Sequence, residues 1–159
     1  MQVDPTTDDD EMVTWWGLVI EGYAATQDRL MGEIFDRHGL APAQFDILVR
    51  LLRSPDHRQP MTKLAAEAAL SSGGFTKVAD RMVKADLIRR EPCATDRRVV
   101  FATLTENGLA TATRARRTCA AVLRRIVLEP LGQDRAGELA ESMRGLRETN
   151  RIRREGRPD

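Results

Sequence analysis

The segment spanning residues 70–104 restricts the fold of this chain more than any other stretch. Apolar residues recur at i, i+3, i+4, i+7 and i+8 from Phe75 to Val83, which is the pattern of a helix with one buried face. A shorter helical pattern over residues 63–69 precedes it, and the turn between them holds two serines and two glycines. Two short helices joined by a tight polar turn form a helix-turn-helix unit.

A basic β-hairpin is predicted immediately after this unit. Residues 87–91 have an extended pattern, residues 92–98 form a polar turn, and residues 99–104 are rich in strand-forming residues. A hairpin in this place is a wing, so the sequence predicts a mostly α fold with a small β-wing, in which residues 40–105 form a winged helix-turn-helix lobe. The sequence DHRQP at residues 56–60 is expected to be a polar loop.

Long helical patterns flank this lobe on both sides. Residues 11–38 and 106–150 carry apolar residues at helical spacing, and we expect His38 and Gly39 to end the first helix and Pro130 to interrupt the second region. These N- and C-terminal helices are longer than is needed to cover the core of a single chain. They are therefore predicted to be dimerisation helices that pack against a second copy. Residues 1–10 are expected to be a disordered acidic tail, and residues 151–159 a basic tail.

Composition excludes several classes of protein. The net charge is only +1, although residues 71–98 hold seven basic against four acidic side chains, so the basic character is local. No apolar run approaches the ~20 residues of a membrane span, and the acidic start lacks the pattern of a signal peptide. Two cysteines do not make a disulfide framework, and two histidines without clustered spacing predict no metal site. We therefore expect a cytoplasmic protein that has no cofactor and no membrane partner.

A string of short motifs follows the serine-rich turn between residues 70 and 108: Thr76-Lys77, Asp80-Arg81-Met82, Leu87-Ile88, Arg90, Asp96-Arg97-Arg98 and Leu104-Thr105. In this order they resemble the MarR family of transcriptional regulators. The family pattern there is a serine-rich turn, a Thr-Arg/Lys pair, a DRL-like triplet, a hydrophobic pair followed by arginine, then Asp-x-Arg and Leu-Thr. One departure is Ala85-Asp86, because a glycine is usual before the hydrophobic pair.

The resemblance extends over roughly residues 12–150 and implies a homodimer on double-stranded DNA. It implies two recognition helices in successive major grooves of a pseudo-palindromic operator, and two wings over minor grooves. It also implies regulation by a small ligand, often an aromatic acid, or by oxidation. The expected function is a sequence-specific, dimeric DNA-binding regulator, a repressor whose affinity for DNA is changed by a small ligand.

Thr76, Lys77 and Arg81 lie on the face opposite the apolar stripe and are candidates for DNA contacts. Arginine can pair bidentately with guanine, whereas lysine and threonine more often bind phosphate. The alternative is an ordinary solvated helix face.

The start of the same helix is a second candidate. One hydroxyl of Ser71 and Ser72 is expected to cap the helix, while the other contacts phosphate, and capping alone explains the pair equally well. Gly73 keeps the helix end slim, so its N–H groups can approach a phosphate closely.

The wing supplies Arg98 as a minor-groove candidate and Arg97 as a phosphate contact. Asp96 is expected to hold the wing turn.

Three further charged residues have structural interpretations. Asp80 is expected to pair with Lys84 or with a wing arginine. Arg89 and Arg90 are expected either to face phosphate or to form ion pairs.

A ligand pocket between the helical region and the DNA-binding lobe is a weaker hypothesis. One tryptophan of the pair Trp15 and Trp16 is the starting point, with Tyr23, His38 and Arg50 as further candidates. Packing in the core or in the dimer interface is the favoured alternative for the tryptophans. In the redox-sensing branch of the family that this chain resembles, the reactive cysteine lies near the first helix, and this chain has none there. The resemblance therefore argues against redox sensing, although Cys93 could oxidise if it is exposed.

Two other classes of function stay open. A winged helix can bind a protein instead of DNA, against which the basic side chains argue. Ser-Ser-Gly-Gly at a helix start could cradle the phosphate of a small enzyme's substrate. The chain lacks G-x-x-x-x-G-K-[ST] and G-x-G-x-x-G, and no serine–histidine pairing is evident, so no catalytic residues are predicted.

Overall fold

A computed structural model describes residues 8–68 and 72–155 of the chain, which divides into two compact units at residues 120 and 121. The helices of the first unit are α1 (Asp9–His38), α2 (Pro42–Arg53), α3 (Met61–Glu67), α4 (Ser72–Lys84) and most of α5 (Glu106–Leu123). Its strands are β1 (Arg58–Pro60), β2 (Ile88–Pro92) and β3 (Val100–Leu104). The second unit holds the end of α5, a π-helical turn (Arg124–Leu128), α6 (Glu129–Leu131) and α7 (Gln133–Glu155).

The acidic residues at the start of α1 form part of the helix. The Asp8 carboxylate accepts a hydrogen bond from the backbone N–H of Asp10, and acidic residues in the first turn interact favourably with the positive end of the helix dipole. Asp9 and Asp10 are therefore helical, which corrects the expected boundary of the acidic tail; residues 1–7 lie outside the described residues. Gly39, with φ of 65°, ends α1 where the sequence predicts.

The core of the first unit is built on the apolar stripe of α4. Phe75, Val78, Ala79 and Met82 are buried, and α4 packs against α2 and β2. Full burial of a side chain such as Met82 contributes ~1.5–3 kcal/mol to folding. Val83 is exposed, so its predicted place in the buried stripe is wrong. A residue at i+8 lies about 80° around the helix axis from residue i, here Phe75.

The wing is part of a three-stranded antiparallel sheet in the order β1-β3-β2. The hairpin of β2 and β3 follows the prediction. The expected polar loop at residues 56–60 is wrong in its second half, because residues 58–60 form β1 and pair with residues 101–103 of β3. Three residues ending in proline carry no strand periodicity, so the edge of β3 decides their conformation.

The junction between the helix-turn-helix and the wing contains the residue that departs from the family pattern. Asp86 has φ of 52°, a left-handed conformation that glycine adopts most easily and that aspartate tolerates. Its carbonyl oxygen accepts a hydrogen bond from the hydroxyl of Thr105, and the same hydroxyl accepts one from the N–H of Gly108 at 2.9 Å. Thr105 therefore caps α5 and ties its first turn to the end of α4.

The helical path continues past Pro130, contrary to the sequence prediction. A π-helical turn widens the helix before the proline, and Pro130 then occupies the first turn of α6, where a missing N–H is tolerated. Gly132, with φ of 76°, ends the helix instead. Residues 151–155, expected to be a basic tail, belong to α7. Among the described helices, none combines the length and the apolar composition required to span a bilayer.

Replacing Gly108 with alanine should destabilise the fold. A Cβ at this position would lie 1.8 Å from the carbonyl oxygen of Leu87, and a backbone oxygen cannot turn away as a side chain can. We expect a loss of about 1–3 kcal/mol in the free energy of unfolding, measured by urea titration. Gly32→Ala is the matched control: nothing lies within 4 Å of its Cβ, so this variant should gain up to ~1 kcal/mol from helix propensity. Equal free energies of unfolding for the two variants would contradict the close approach of Gly108 to the Leu87 carbonyl oxygen.

Candidate nucleic-acid interface

The outward face of α4 carries the side chains that the sequence proposes as DNA contacts. Thr76, Lys77 and Arg81 are all exposed on the side opposite the buried stripe. Arg81 lies one turn after Lys77, and its Nε donates a hydrogen bond to the Lys77 carbonyl oxygen at 3.3 Å. The structure therefore places three candidate residues together on one surface, two of them positively charged.

The beginning of α4 is described in part. Ser72 is its first helical residue, while Ser71 and the side chain of Ser72 lie outside the described residues. Gly73 is exposed, and a Cβ built on it would meet no atom within 4 Å. Packing inside the folded chain therefore does not require glycine at this position.

Two arginines of β2 form ion pairs. Arg90 Nη2 lies 2.7 Å from Asp80 Oδ1, and Arg89 Nε lies 2.6 Å from Glu91 Oε1. The first pair joins β2 to α4 and confirms the expectation that Asp80 pairs with a wing arginine. Exposed pairs of this kind add little stability. Their effect on the surface charge is larger than their effect on stability, because Arg90 neutralises Asp80, the negative charge that α4 carries beside Lys77.

Glu91 connects the two strands of the wing. Its Oε2 accepts a hydrogen bond from the hydroxyl of Thr103 at 2.6 Å, while Oε1 binds Arg89. The Thr103 hydroxyl, followed by the Arg89 guanidinium, lowers the pKa of Glu91 below its ordinary value. The carboxylate is therefore ionised at neutral pH, and its charge is compensated within the sheet.

The turn of the wing is held by Asp96, as the sequence predicts. Its Oδ1 accepts hydrogen bonds from the backbone N–H of Arg98 at 3.0 Å and from the Arg98 Nε at 3.3 Å. The backbone N–H of Arg98, and then its side chain, lower the pKa of Asp96. Arg97 and Arg98 are both exposed, and the Arg98 side chain is 92% accessible. The wing thus presents two arginines on an ordered turn.

The two cysteines have different environments. The hydroxyl of Thr95, followed by nearby backbone N–H groups, lowers the pKa of the Cys93 thiol, whereas burial raises the pKa of Cys119. No group of three or more potential metal ligands from His, Cys, Asp and Glu occurs in the described parts of the chain.

The proposed pocket residues are not brought together within one chain. Trp15, Trp16 and Tyr23 lie in the first half of α1 and are 50%, 54% and 66% exposed. His38 follows Trp15 by 23 residues on the same helix. At about 1.5 Å per residue, these two residues are about 35 Å apart, too far to contact one small molecule.

Arg50, the fifth pocket candidate, belongs to a polar cluster that the sequence does not predict. Its Nε lies 2.8 Å from Asp46 Oδ2 and its Nη1 lies 3.5 Å from Glu67 Oε2. The hydrogen bond to Asp46 is the main cause that raises the pKa of Arg50. Glu67 also accepts a hydrogen bond from Gln59 at 2.9 Å. The i,i+4 spacing of Asp46 with Arg50 is a sequence signal, as is that of Lys63 with Glu67. Arg50, Glu67 and Gln59 come together only through tertiary structure.

His38 joins α1 to α5. Its Nε2 lies 2.9 Å from the hydroxyl oxygen of Thr118. Desolvation, followed by the positive charges of Arg114 and Arg37, lowers the pKa of His38. Neutral imidazole is therefore the form that the folded chain favours.

Comparisons with known proteins agree with this geometry. The sequence pattern of the MarR family matches residues 38–99, which include α2, α3, α4 and β2. AbsC, a MarR family transcriptional regulator from Streptomyces coelicolor, is 30% identical and superposes with a TM-score of 0.79, over 93% of this chain and 99% of that chain. The chain belongs to the MarR family.

Two further MarR-type relatives are informative. Sco3205, a MarR family regulator from Streptomyces coelicolor whose structure was solved in complex with DNA, is 28% identical with a TM-score of 0.78, covering 90% of this chain and 92% of that chain. The HTH-type transcriptional regulator MhqR of Bacillus subtilis is 37% identical over 79 residues. This match covers 50% of the present chain and spans about half, 53%, of MhqR. The MarR assignment therefore rests on the full-length structural match as well as on the winged helix.

Acidification should destabilise the protein through His38. Its pKa in the folded state is lowered, so the unfolded chain takes up the proton more readily, and stability falls as the pH drops below about 6.5. His38→Gln should reduce the difference in free energy of unfolding between pH 7.5 and pH 5.5, because glutamine can hydrogen-bond to Thr118 without titrating. Urea titrations at the two pH values measure this difference. The same pH dependence in both proteins would show that His38 is not responsible.

Proposed function

We propose that this chain is a sequence-specific DNA-binding transcription regulator that acts as a homodimer and represses its target genes. The observation that carries the proposal is the distribution of charge on the winged lobe. Lys77 and Arg81 lie exposed on α4, and Arg98 lies exposed on the wing. The acidic side chains Asp80 and Asp96, which would repel phosphate, are hydrogen-bonded to arginines.

Each basic group has a role that follows from its chemistry. With α4 in the major groove, Arg81 can pair with a guanine edge, while Lys77 and Thr76 bind phosphate or base edges. The backbone at Ser71, Ser72 and Gly73 approaches a phosphate, as N–H groups at helix starts do. On the wing, Arg98 enters a minor groove and Arg97 binds the adjacent backbone. These assignments are supported by the exposure of the described side chains.

A second copy of the chain would cover apolar surface on the terminal helices. Large apolar side chains of α1 are exposed, including Met12, Val13, Trp15, Trp16, Leu18, Ile20 and Tyr23. On α7, Leu139, Met143 and Leu146 are exposed in the same way. Apolar patches of this kind mark interaction surfaces. A two-fold dimer presents two recognition helices, which fits a pseudo-palindromic operator.

A small, aromatic ligand is proposed to change the affinity for DNA. Because Trp15 and His38 are far apart on α1, a pocket that uses both requires residues from two copies of the chain. The ligand need only bind more tightly to the dimer conformation that fits DNA poorly. The loss of DNA affinity then equals this preference. Such a regulator would work in the cytoplasm, where its operator is accessible.

A salt titration tests the DNA-binding proposal. The purified protein should retard a duplex taken from the region around its own gene, with two chains bound per site. Its affinity should fall steeply with salt concentration, with a log–log slope of about −0.9 for each phosphate neutralised. Electrophoretic mobility and fluorescence anisotropy measure affinity and slope. Absence of binding to this DNA at moderate salt would contradict the proposal and favour a winged-helix module that binds protein.

Arg98→Ala should weaken DNA binding without affecting the fold. Loss of one base-directed arginine costs ~1–3 kcal/mol of binding free energy. The Arg98 side chain is almost fully exposed, so the thermal midpoint should be nearly unchanged. Arg37→Ala is the matched control, since it removes the same charge from an exposed ion pair on α1. An Arg98→Ala variant that binds like the Arg37→Ala variant would place the wing contact elsewhere.

A further inference from the structure

Glu67 lies where three elements of the winged lobe meet, namely α2, α3 and β1. It is the last residue of α3, and α4 begins five residues later at Ser72. Its Oε2 accepts a hydrogen bond from Gln59 Nε2 at 2.9 Å and lies 3.5 Å from Arg50 Nη1. One carboxylate therefore connects the end of α3 to both β1 and α2.

Gln59 transmits this connection to the wing. It is the middle residue of β1, it is only 6% exposed, and it pairs in register with Ala102 of β3. Its Nε2 donates to Glu67 while its Oε1 lies 3.3 Å from the Ser54 hydroxyl, so the amide has polar partners at both ends. Since β1 has only three residues, this buried side-chain hydrogen bond supplements the few backbone pairs that hold it against β3.

The three contacts of Glu67 differ in strength. The ion pair of its Oε1 with Lys63 Nζ, at 3.9 Å, lies within α3 and joins no two elements. The ion pair with Arg50 is long, and both side chains are about one-third exposed, so solvent weakens it. The hydrogen bond from buried Gln59 is short and charge-assisted, which makes it the stronger contact. It is also the leading cause that lowers the pKa of Glu67. The link between α3 and β1 therefore depends mainly on the Gln59 bond.

We propose that Glu67 is a positioning residue for DNA binding, which holds the helix-turn-helix and the wing in the relative placement that lets both contact one duplex. Glu67 is not proposed as a DNA contact, because phosphate would repel its carboxylate. It acts through Gln59 and β1, because β1 pairs with β3 and β3 pairs with β2. This inference rests on the proposed DNA-binding function, and it adds a residue outside the set that contacts the nucleic acid.

Three variants separate the Gln59 bond from the charge of Glu67. Glu67→Ala removes the hydrogen bond from Gln59 and the ion pairs with Arg50 and Lys63. Glu67→Gln keeps an oxygen that can accept the hydrogen bond from Gln59 but removes the charge beside Arg50 and Lys63. Asp46→Ala is the matched control, because it removes the other carboxylate partner of Arg50 and leaves Gln59 untouched.

Operator affinity is measured as a function of salt for all three variants. Glu67→Ala should bind ~10-fold more weakly or worse, with a log–log salt slope shallower by about 0.9 or more, because at least one phosphate contact is lost. Glu67→Gln and Asp46→Ala should bind within about threefold of the parent with the parental slope. A purely structural defect would reduce the fraction of active protein without changing the slope.

Two outcomes overturn the proposal. One is a Glu67→Ala variant with parental affinity and slope. The other is a Glu67→Gln or Asp46→Ala variant that binds DNA as weakly as Glu67→Ala. This result would mean that the hydrogen bond from Gln59 to Glu67 is not the contact that positions the wing.

Amide hydrogen exchange of the protein without DNA keeps the two proposals distinguishable. Glu67→Ala should speed exchange in the ladder of β1 and β3 and in the first turns of α4, whereas Asp46→Ala should not. If the parent protein binds no operator DNA, the proposed function fails, and unchanged exchange in Glu67→Ala would separately overturn the positioning role.

Discussion

The winged lobe depends on the central strand β3, which pairs with β1 on one side and β2 on the other. Through β2, the ion pair of Arg90 with Asp80 connects this strand to α4. Through β1, Gln59 and Glu67 connect it to the end of α3. Both helices of the helix-turn-helix are therefore joined to the same short sheet. Because a backbone ladder resists sliding, this arrangement can keep a recognition helix and a wing at a fixed separation.

The charge that the winged lobe presents depends on which acidic side chains are paired with arginines, more than on the net charge of the chain. The whole chain carries only +1, and acidic residues are interspersed among the arginines of the wing. The structure pairs Asp80 with Arg90, Glu91 with Arg89, and Asp96 with Arg98. Lys77, Arg81 and Arg97 remain exposed on the outer surface. A neutral protein can in this way present a basic surface to an anionic partner.

The terminal helices expose apolar side chains, in contrast to the winged lobe, whose exposed surface carries charged side chains. Most of the large apolar side chains of α1 lie on its surface, and Leu30 and Ile34 near its end are the members that bury fully in the chain. Trp15 and Trp16 are about half exposed, and burial of this apolar surface would be favourable in water. The match to AbsC covers 93% of this chain, so it includes most of the terminal helices as well as the winged lobe.

The sequence by itself determined the elements whose signal is local. The i, i+3, i+4 spacing identified the buried face of α4, and Gly39 marked the end of α1. The strand-forming residues on the two sides of a polar turn identified the hairpin. Asp80 on α4 and Asp96 on the wing were correctly predicted as structural. Tertiary structure decided the rest: β1 formed because β3 offered an unpaired edge, the helix passed Pro130 by a π-helical turn, and Glu67 met Gln59 across two elements. Periodicity encodes which face of an element is buried, but a contact between elements depends on chain geometry that no local pattern contains.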